Sequence, residues 1–195
     1  VIGVDVRSRT LDMQNKRTAF LYGDGAGAVV ISRNRKSQHG FLASVLFADG
    51  AGHDSVYVPS VGYPRTGESP PPLLTMPDGR RVSENAGIGI PGLCALVLEK
   101  SGYNQQDIDF YLLHQPNLYL LRAVCDEMQI PDEKTVINFP RHGNTVAASV
   151  PIALSEAAAE QRLRPGDLVM MCAVGGGFTG GAHLLHWCAP EDFLA

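Results

Sequence analysis

An α/β layered domain is what this sequence predicts, on three grounds. Apolar strand-like runs alternate with stretches of helical periodicity along most of the chain, the helical stretches carry start and stop residues, and the first strand candidate, "VIGVDV", is a continuous apolar run of the kind a sheet covered on both faces requires. Such a sheet is expected to be largely parallel.

The elements follow in order. "VIGVDV" starts at Val1 with no methionine and no preceding turn, so the front part of a larger protein is expected ahead of it. A polar connection, "RSRTLDMQNKR", leads to a strand-like stretch from Thr18 to Ile31, interrupted by "GDGAGA", whose small residues suit a strand lying tightly against a neighbour. Residues 32 to 77 are rich in Gly, Pro and Ser; they hold one strand, "GFLASVLFA", and an exposed linker, "YPRTGESPPPLL". A helix is predicted from Ser83 to Lys100, closed by Ser101 and Gly102. There follow a strand at 109–114, a helix at 117–129 ended by Pro131, and a short strand at 135–138. "GNTVAASVPIALSEAAAEQRL" opens another helix, with Pro151 forcing a bend or a late first turn. Two closing strands, "DLVMMCAVG" and "GGAHLLHW", flank a glycine cluster.

Composition narrows the function classes. With 195 residues, 45% of them hydrophobic and 18% charged, the chain can bury a sizeable core. A net charge of −4 and the lack of a cluster of basic and aromatic residues disfavour nucleic acid. The four cysteines, Cys94, Cys125, Cys172 and Cys188, form no CxxC pair and have no zinc-type spacing, so they read as reduced packing residues and no metal is expected. No apolar run approaches the roughly 20 residues of a membrane span, and no export signal is evident, so a soluble, cytoplasmic protein is expected.

In an α/β sheet, reactive groups collect where strands end and helices begin. Three junctions qualify. "YLLHQPNLYLL" places His114 at a strand end and Asn117 at a helix start, "RHGNTVAAS" puts Asn144 and Thr145 before a helix, and "AVGGGFTGG" supplies bare backbone N–H groups. A helix cap is the plain alternative for both asparagines. The glycine cluster lacks the spacing and the Lys-Ser/Thr of a phosphate cradle.

Taken in order, "LYGDGAGAVVIS", "DIDFYLLHQPNLYLLRAV", "RHGNTVAASVPIALSEA" and "RLRPGDLVMMCAVGGGFTGGAHLL" closely resemble the C-terminal portion of β-ketoacyl-acyl-carrier-protein synthase III and its relatives among the thiolase-like condensing enzymes. The resemblance covers nearly the whole chain. It implies a thiolase-like layered αβαβα fold, with residues 1–35 closing the N-terminal half, 36–82 forming linker and substrate-channel loops, and 83–195 making the C-terminal half. It also implies an acyltransferase that joins an acyl thioester to a malonyl thioester by Claisen condensation, with no cofactor beyond the coenzyme A or acyl-carrier-protein thioesters that are its substrates. His114 and Asn144 would be catalytic, as neutral donors to the thioester oxygen, with His114 presenting Nε2–H and its other nitrogen accepting from backbone or solvent. Gly176 would supply a backbone oxyanion donor and Asn117 would support the histidine loop. Arg9, Gly79, Ser83 and Val174 would contact substrate. The nucleophilic cysteine is expected in an N-terminal part or on a separate chain, in a homodimer or heterodimer, because none of the four cysteines has the required helix-start context.

Departures from the family pattern bear on substrate. Tyr119 stands where a basic residue is typical, and Asp126 and Glu127 where lysines often are, although Arg122 is kept. This weakens the footing for an acidic carrier protein and favours coenzyme A thioesters. Val174 and Ser83 replace aromatics, so a wider channel for medium or long acyl groups in specialised fatty-acid or secondary-metabolite synthesis is expected; Gly180 also stands where the family has a tryptophan. A non-catalytic partner subunit of a condensing-enzyme heterodimer is the alternative.

Overall fold

Two sheets organise residues 1–33, 40–59, 73–189 and 192, which a computed structural model of the chain describes. The smaller pairs β1 (Ile2–Asp5) with β2 (Gly25–Ala28), antiparallel. The larger has four strands in the order β3 (Gly40–Gly52), β6 (Gly177–His186), β5 (Leu168–Gly175), β4 (Phe110–Leu113). Only β4 and β5 run parallel; β5–β6 and β3–β6 are antiparallel. The sheet is thus mixed, against the expectation of a largely parallel one. Between β5 and β6 the chain turns back through the glycine cluster, and a connection that short permits only antiparallel pairing. Most of the linker "YPRTGESPPPLL" lies outside the described residues.

All four residues of β4 are buried, as a doubly covered strand requires. Tyr111 and Leu113 face a cluster that includes Ile90, Leu93 and Val97 of α1 (Gly79–Ser101) and Leu121 and Val124 of α2 (Leu118–Glu127). Phe110 and Leu112 face the opposite cluster, with Ala153, Leu154 and Ala157 of α4 (Ser149–Ala159). The alternation of strand side chains therefore builds an α/β/α sandwich, each large apolar residue contributing about 2 kcal/mol on burial.

Helix boundaries follow their caps. Asp78 accepts the Arg81 N–H at 2.9 Å and starts α1 four residues ahead of the expected Ser83, while Gly102 closes it at φ 76°. Asn117 caps α2, accepting the Leu120 N–H at 2.8 Å. A 3₁₀ turn at Val146–Ala148 delays α4 to Ser149, so Pro151 falls in the first helical turn, where its missing N–H costs no hydrogen bond.

No strand forms at 135–138; Thr135 alone bridges to Tyr111. The competing partner is the fully buried side chain of Gln115. Its Oε1 accepts the N–H groups of Asn138 and Phe139 at 3.1 and 3.3 Å, and its Nε2 donates to the Leu113 and Val136 carbonyls at 3.0 Å each. The backbone after Thr135 is satisfied by this amide rather than by a ladder, and it turns into the short helix α3 (Phe139–His142).

Candidate functional site

His114 is the first residue beyond β4, and its N–H still donates to the Cys172 carbonyl at 2.8 Å, so the rigid end of the buried strand sets its position. The side chain is buried, and burial pushes its pKa down to about 4, which leaves the imidazole neutral at physiological pH. Nδ1 lies 2.7 Å from Oγ of Ser149, whose hydroxyl also lies 2.8 Å from the Val146 carbonyl. The expected backbone or solvent partner of Nδ1 is therefore corrected to a buried serine.

Asn144 arrives by a different route. Its N–H donates to the Leu21 carbonyl at 2.8 Å and its carbonyl accepts the Gly23 N–H at 3.0 Å, so the loop is clipped to the segment just before β2. "GDGAGA" permits that approach. A side chain at Gly23 would collide with the His142 carbonyl, and one at Gly27 with Pro151. Oδ1 of Asn144 accepts the Val146 N–H at 2.9 Å, which leaves the side-chain amide as the end able to donate elsewhere. Val146 itself has φ 51°, a strained conformation for a β-branched residue. On the other flank, Glu156 of α4 accepts from Asn138, Arg141 and His142 at 2.8 Å each and ties α3 down. Burial would raise the Glu156 pKa, but the hydrogen bonds from Arg141, Asn138 and His142 outweigh it and hold the carboxyl below its usual range.

His114, Asn144, Val174 and Gly176 line one cavity of about 630 Å³. Its walls are largely apolar, with Ile88, Leu93 and Leu96 of α1 and Phe47 of β3 among them. Gly176 sits against Val56, close enough that a Cβ would lie 2.9 Å from the valine side chain. Asn117, Gly79 and Ser83 line a smaller adjoining cavity of about 70 Å³, which Asn144 also borders. The small residue at Ser83 therefore widens that side pocket and not the main cavity, a correction to the channel reading. Arg9 lines neither; on the same 3₁₀ turn it is Arg7, ion-paired to Asp5 at 2.8 Å, that reaches the main cavity. Successive residues of so tight a turn point in different directions, which spacing in the sequence does not resolve.

Among the described residues, Cys94, Cys125 and Cys172 are buried in the core and do not line the cavity, as packing thiols should not. Burial raises the Cys125 thiol to about 11, and contact with Cys94 together with burial raises that of Cys172. No group of three His, Cys, Asp or Glu side chains among the described residues is placed to hold a metal. No described helix is long and apolar enough to cross a membrane. Ser149, Gln115, Glu156 and Arg7 escape a reading of the sequence, since each has a partner 14 or more positions away.

The chain is similar to known proteins over nearly all of its length. Residues 1–52 match the family model described as 3-oxoacyl-[acyl-carrier-protein] synthase III, and residues 98–187 match the model of its C-terminal domain. A β-ketoacyl-[acyl-carrier-protein] synthase III of Erythrobacter litoralis is 42% identical over 96% of this chain and 58% of its own length. One from Streptomyces coelicolor is 42% identical over 98% of this chain, again 58% of its own length. The crystal structure of the synthase III from Thermus thermophilus superposes with a TM-score of 0.87 at 34% identity, covering 96% of this chain and 58% of that one. The chain thus spans somewhat over half the length of the relatives it matches.

Proposed function

The chain belongs to the 3-oxoacyl-[acyl-carrier-protein] synthase III family, with its thiolase-like fold, and on that premise we propose that it carries the decarboxylation and oxyanion half of a condensing active site. The observation that supports this best is the convergence of His114, Asn144 and Gly176 on one cavity from three separate junctions.

The chemistry asks for neutral donors. When a malonyl thioester loses CO2, the electrons of the broken C–C bond pass to the thioester oxygen as an enolate. The enolate carbon then attacks an acyl thioester held on a cysteine thiol, and the new C–C bond forms as the C–S bond breaks. Imidazole Nε2–H and the Asn144 amide are suited to hold the enolate oxygen without binding the ground state as tightly as a cation would. The backbone N–H at Gly176 is suited to the second oxyanion. The cysteine belongs to residues outside this chain, in the same polypeptide or in a dimeric partner.

For the acyl group, the apolar walls and Val174 at the cavity favour chains longer than acetyl. For the carrier, Tyr119 stands fully out from α2 at 87% exposure, and Asp126 and Glu127 are exposed on the same helix. Arg122, the surviving base, is engaged by Asp132. This face offers an acidic carrier protein little positive charge, so coenzyme A thioesters are the favoured acyl donors. A solved relative, the priming β-ketosynthase of the R1128 polyketide pathway, has a TM-score of 0.77 at 25% identity and covers 97% of this chain, in keeping with a role in specialised synthesis.

The test is turnover of acetyl, hexanoyl and decanoyl groups on coenzyme A and on carrier protein, with malonyl thioester as extender. His114→Ala and Asn144→Ala should each lower kcat by about 10²- to 10³-fold, and Val174→Phe should shift preference toward acetyl. Unchanged turnover in both alanine variants would instead identify a non-catalytic subunit that supports an active partner.

A further inference from the structure

We propose that Ser149 is a positioning residue that sets the tautomer of His114, its hydroxyl donating to Nδ1 so that the ring offers Nε2–H to the cavity; this deepens the donor role given to His114 above and rests on it. Ser149 is 1% exposed and is not among the cavity-lining residues, whereas His114 is. The Nδ1 edge held at 2.7 Å from Oγ therefore faces away from the cavity, and the Nε2 edge is left for it.

A serine hydroxyl has one proton, and two acceptors lie in its reach: Nδ1 at 2.7 Å and the Val146 carbonyl at 2.8 Å. Which of them takes the proton decides the tautomer. If the hydroxyl turns to the carbonyl, Nδ1 must carry hydrogen and Nε2 presents a lone pair, which repels a developing oxyanion. If it turns to the imidazole, Nε2 carries the hydrogen. The Val146 carbonyl already receives the backbone N–H of Ser149, so releasing the hydroxyl does not orphan it. Among the described residues, Ser149 is also the only hydrogen-bond partner of the imidazole ring. The same turn serves both proposed donors, because the Val146 N–H fixes Oδ1 of Asn144 at 2.9 Å.

The experiment is ¹⁵N-detected NMR of the histidine rings between pH 6 and 8, with the His114 signals identified by their loss in His114→Gln. The expected result is Nε2–H in the unaltered protein. Ser149→Ala should yield a mixture of tautomers and lower kcat by roughly 10- to 100-fold with KM little changed, as for loss of a partner that orients a functional ring. Ser149→Thr, which keeps the hydroxyl, should restore the tautomer. An Nδ1–H ring in the unaltered protein overturns the proposal and needs no variant to fold; so does an unchanged tautomer in Ser149→Ala. If the tautomer behaves as expected but His114→Ala turns over normally, the donor role fails while the positioning by Ser149 stands.

Discussion

His114 and Asn144 border the same cavity but are held there in opposite ways. The histidine is carried by β4, a strand whose four residues are all buried between two helical layers, and it needs one side-chain partner, Ser149. The asparagine sits in irregular chain between α3 and α4, and its place depends on backbone bonds to Leu21 and Gly23, on the glycines of β2 and on the Glu156 contacts. A hydrophobic core positions a group by excluding alternatives. A loop must be positioned by satisfying each polar atom in turn, and each of those contacts is a separate point of failure.

The strongest way to break this contrast is at Gln115, which joins both regions: it follows His114 in sequence and supports the chain leading to Asn144. Gln115→Ala leaves buried N–H and C=O groups of residues 113, 136, 138 and 139 without this partner. A loss on the order of 4 kcal/mol is expected, at about 1–3 kcal/mol for an unsatisfied buried group and with partial relaxation. Urea denaturation measures it, and a loss below about 1 kcal/mol would show that the loop is held independently.

Acid should separate the two next. In the fold, burial holds His114 neutral down to about pH 4, while in the unfolded chain the ring takes its proton near 6.5. Its contribution is therefore fully present above about 6.5, is lost as the pH falls from there toward 4, and levels off below. The span corresponds to on the order of 3 kcal/mol. Stability measured at pH 7.5, 5.5 and 4 should fall more steeply in the unaltered protein than in His114→Gln; parallel curves would mean that the ring is not desolvated as the structure places it.

Smaller in effect is a test confined to the asparagine side. Gly23→Ala drives a side chain into the His142 carbonyl, just ahead of Asn144, and should cost about 1–3 kcal/mol. Because the Gly23 N–H binds the Asn144 carbonyl and the residue touches neither β4 nor Ser149, turnover should fall while the His114 ring signals stay in place. Displaced His114 signals would show that the two regions move as one.

Much of this was legible in the residues themselves. The buried strand before His114, the cap at Asn117, the Gly102 stop and the late start of α4 at Pro151 all follow from local rules, since periodicity, capping and proline act within one or two helical turns. "GDGAGA" likewise announced close packing, though not what it packs against. The family resemblance carried by the order of the motifs pointed to His114, Asn144 and Gly176, and Val174 joins them at the cavity.

What only the tertiary structure decided depends on contacts between residues far apart in the chain. The 135–138 stretch has strand-like residues, but a buried amide twenty positions earlier takes its hydrogen bonds. Arg7 rather than Arg9 reaches the cavity because a 3₁₀ turn sends neighbouring side chains in different directions. The partner of the His114 ring is a serine 35 positions away; it lies within the motif that carries Asn144, but nothing local ties it to the histidine. Local propensity is written in a sequence residue by residue, whereas the satisfaction of a buried polar atom is a property of the assembled fold, and it is there that the assignment of Nδ1 was made.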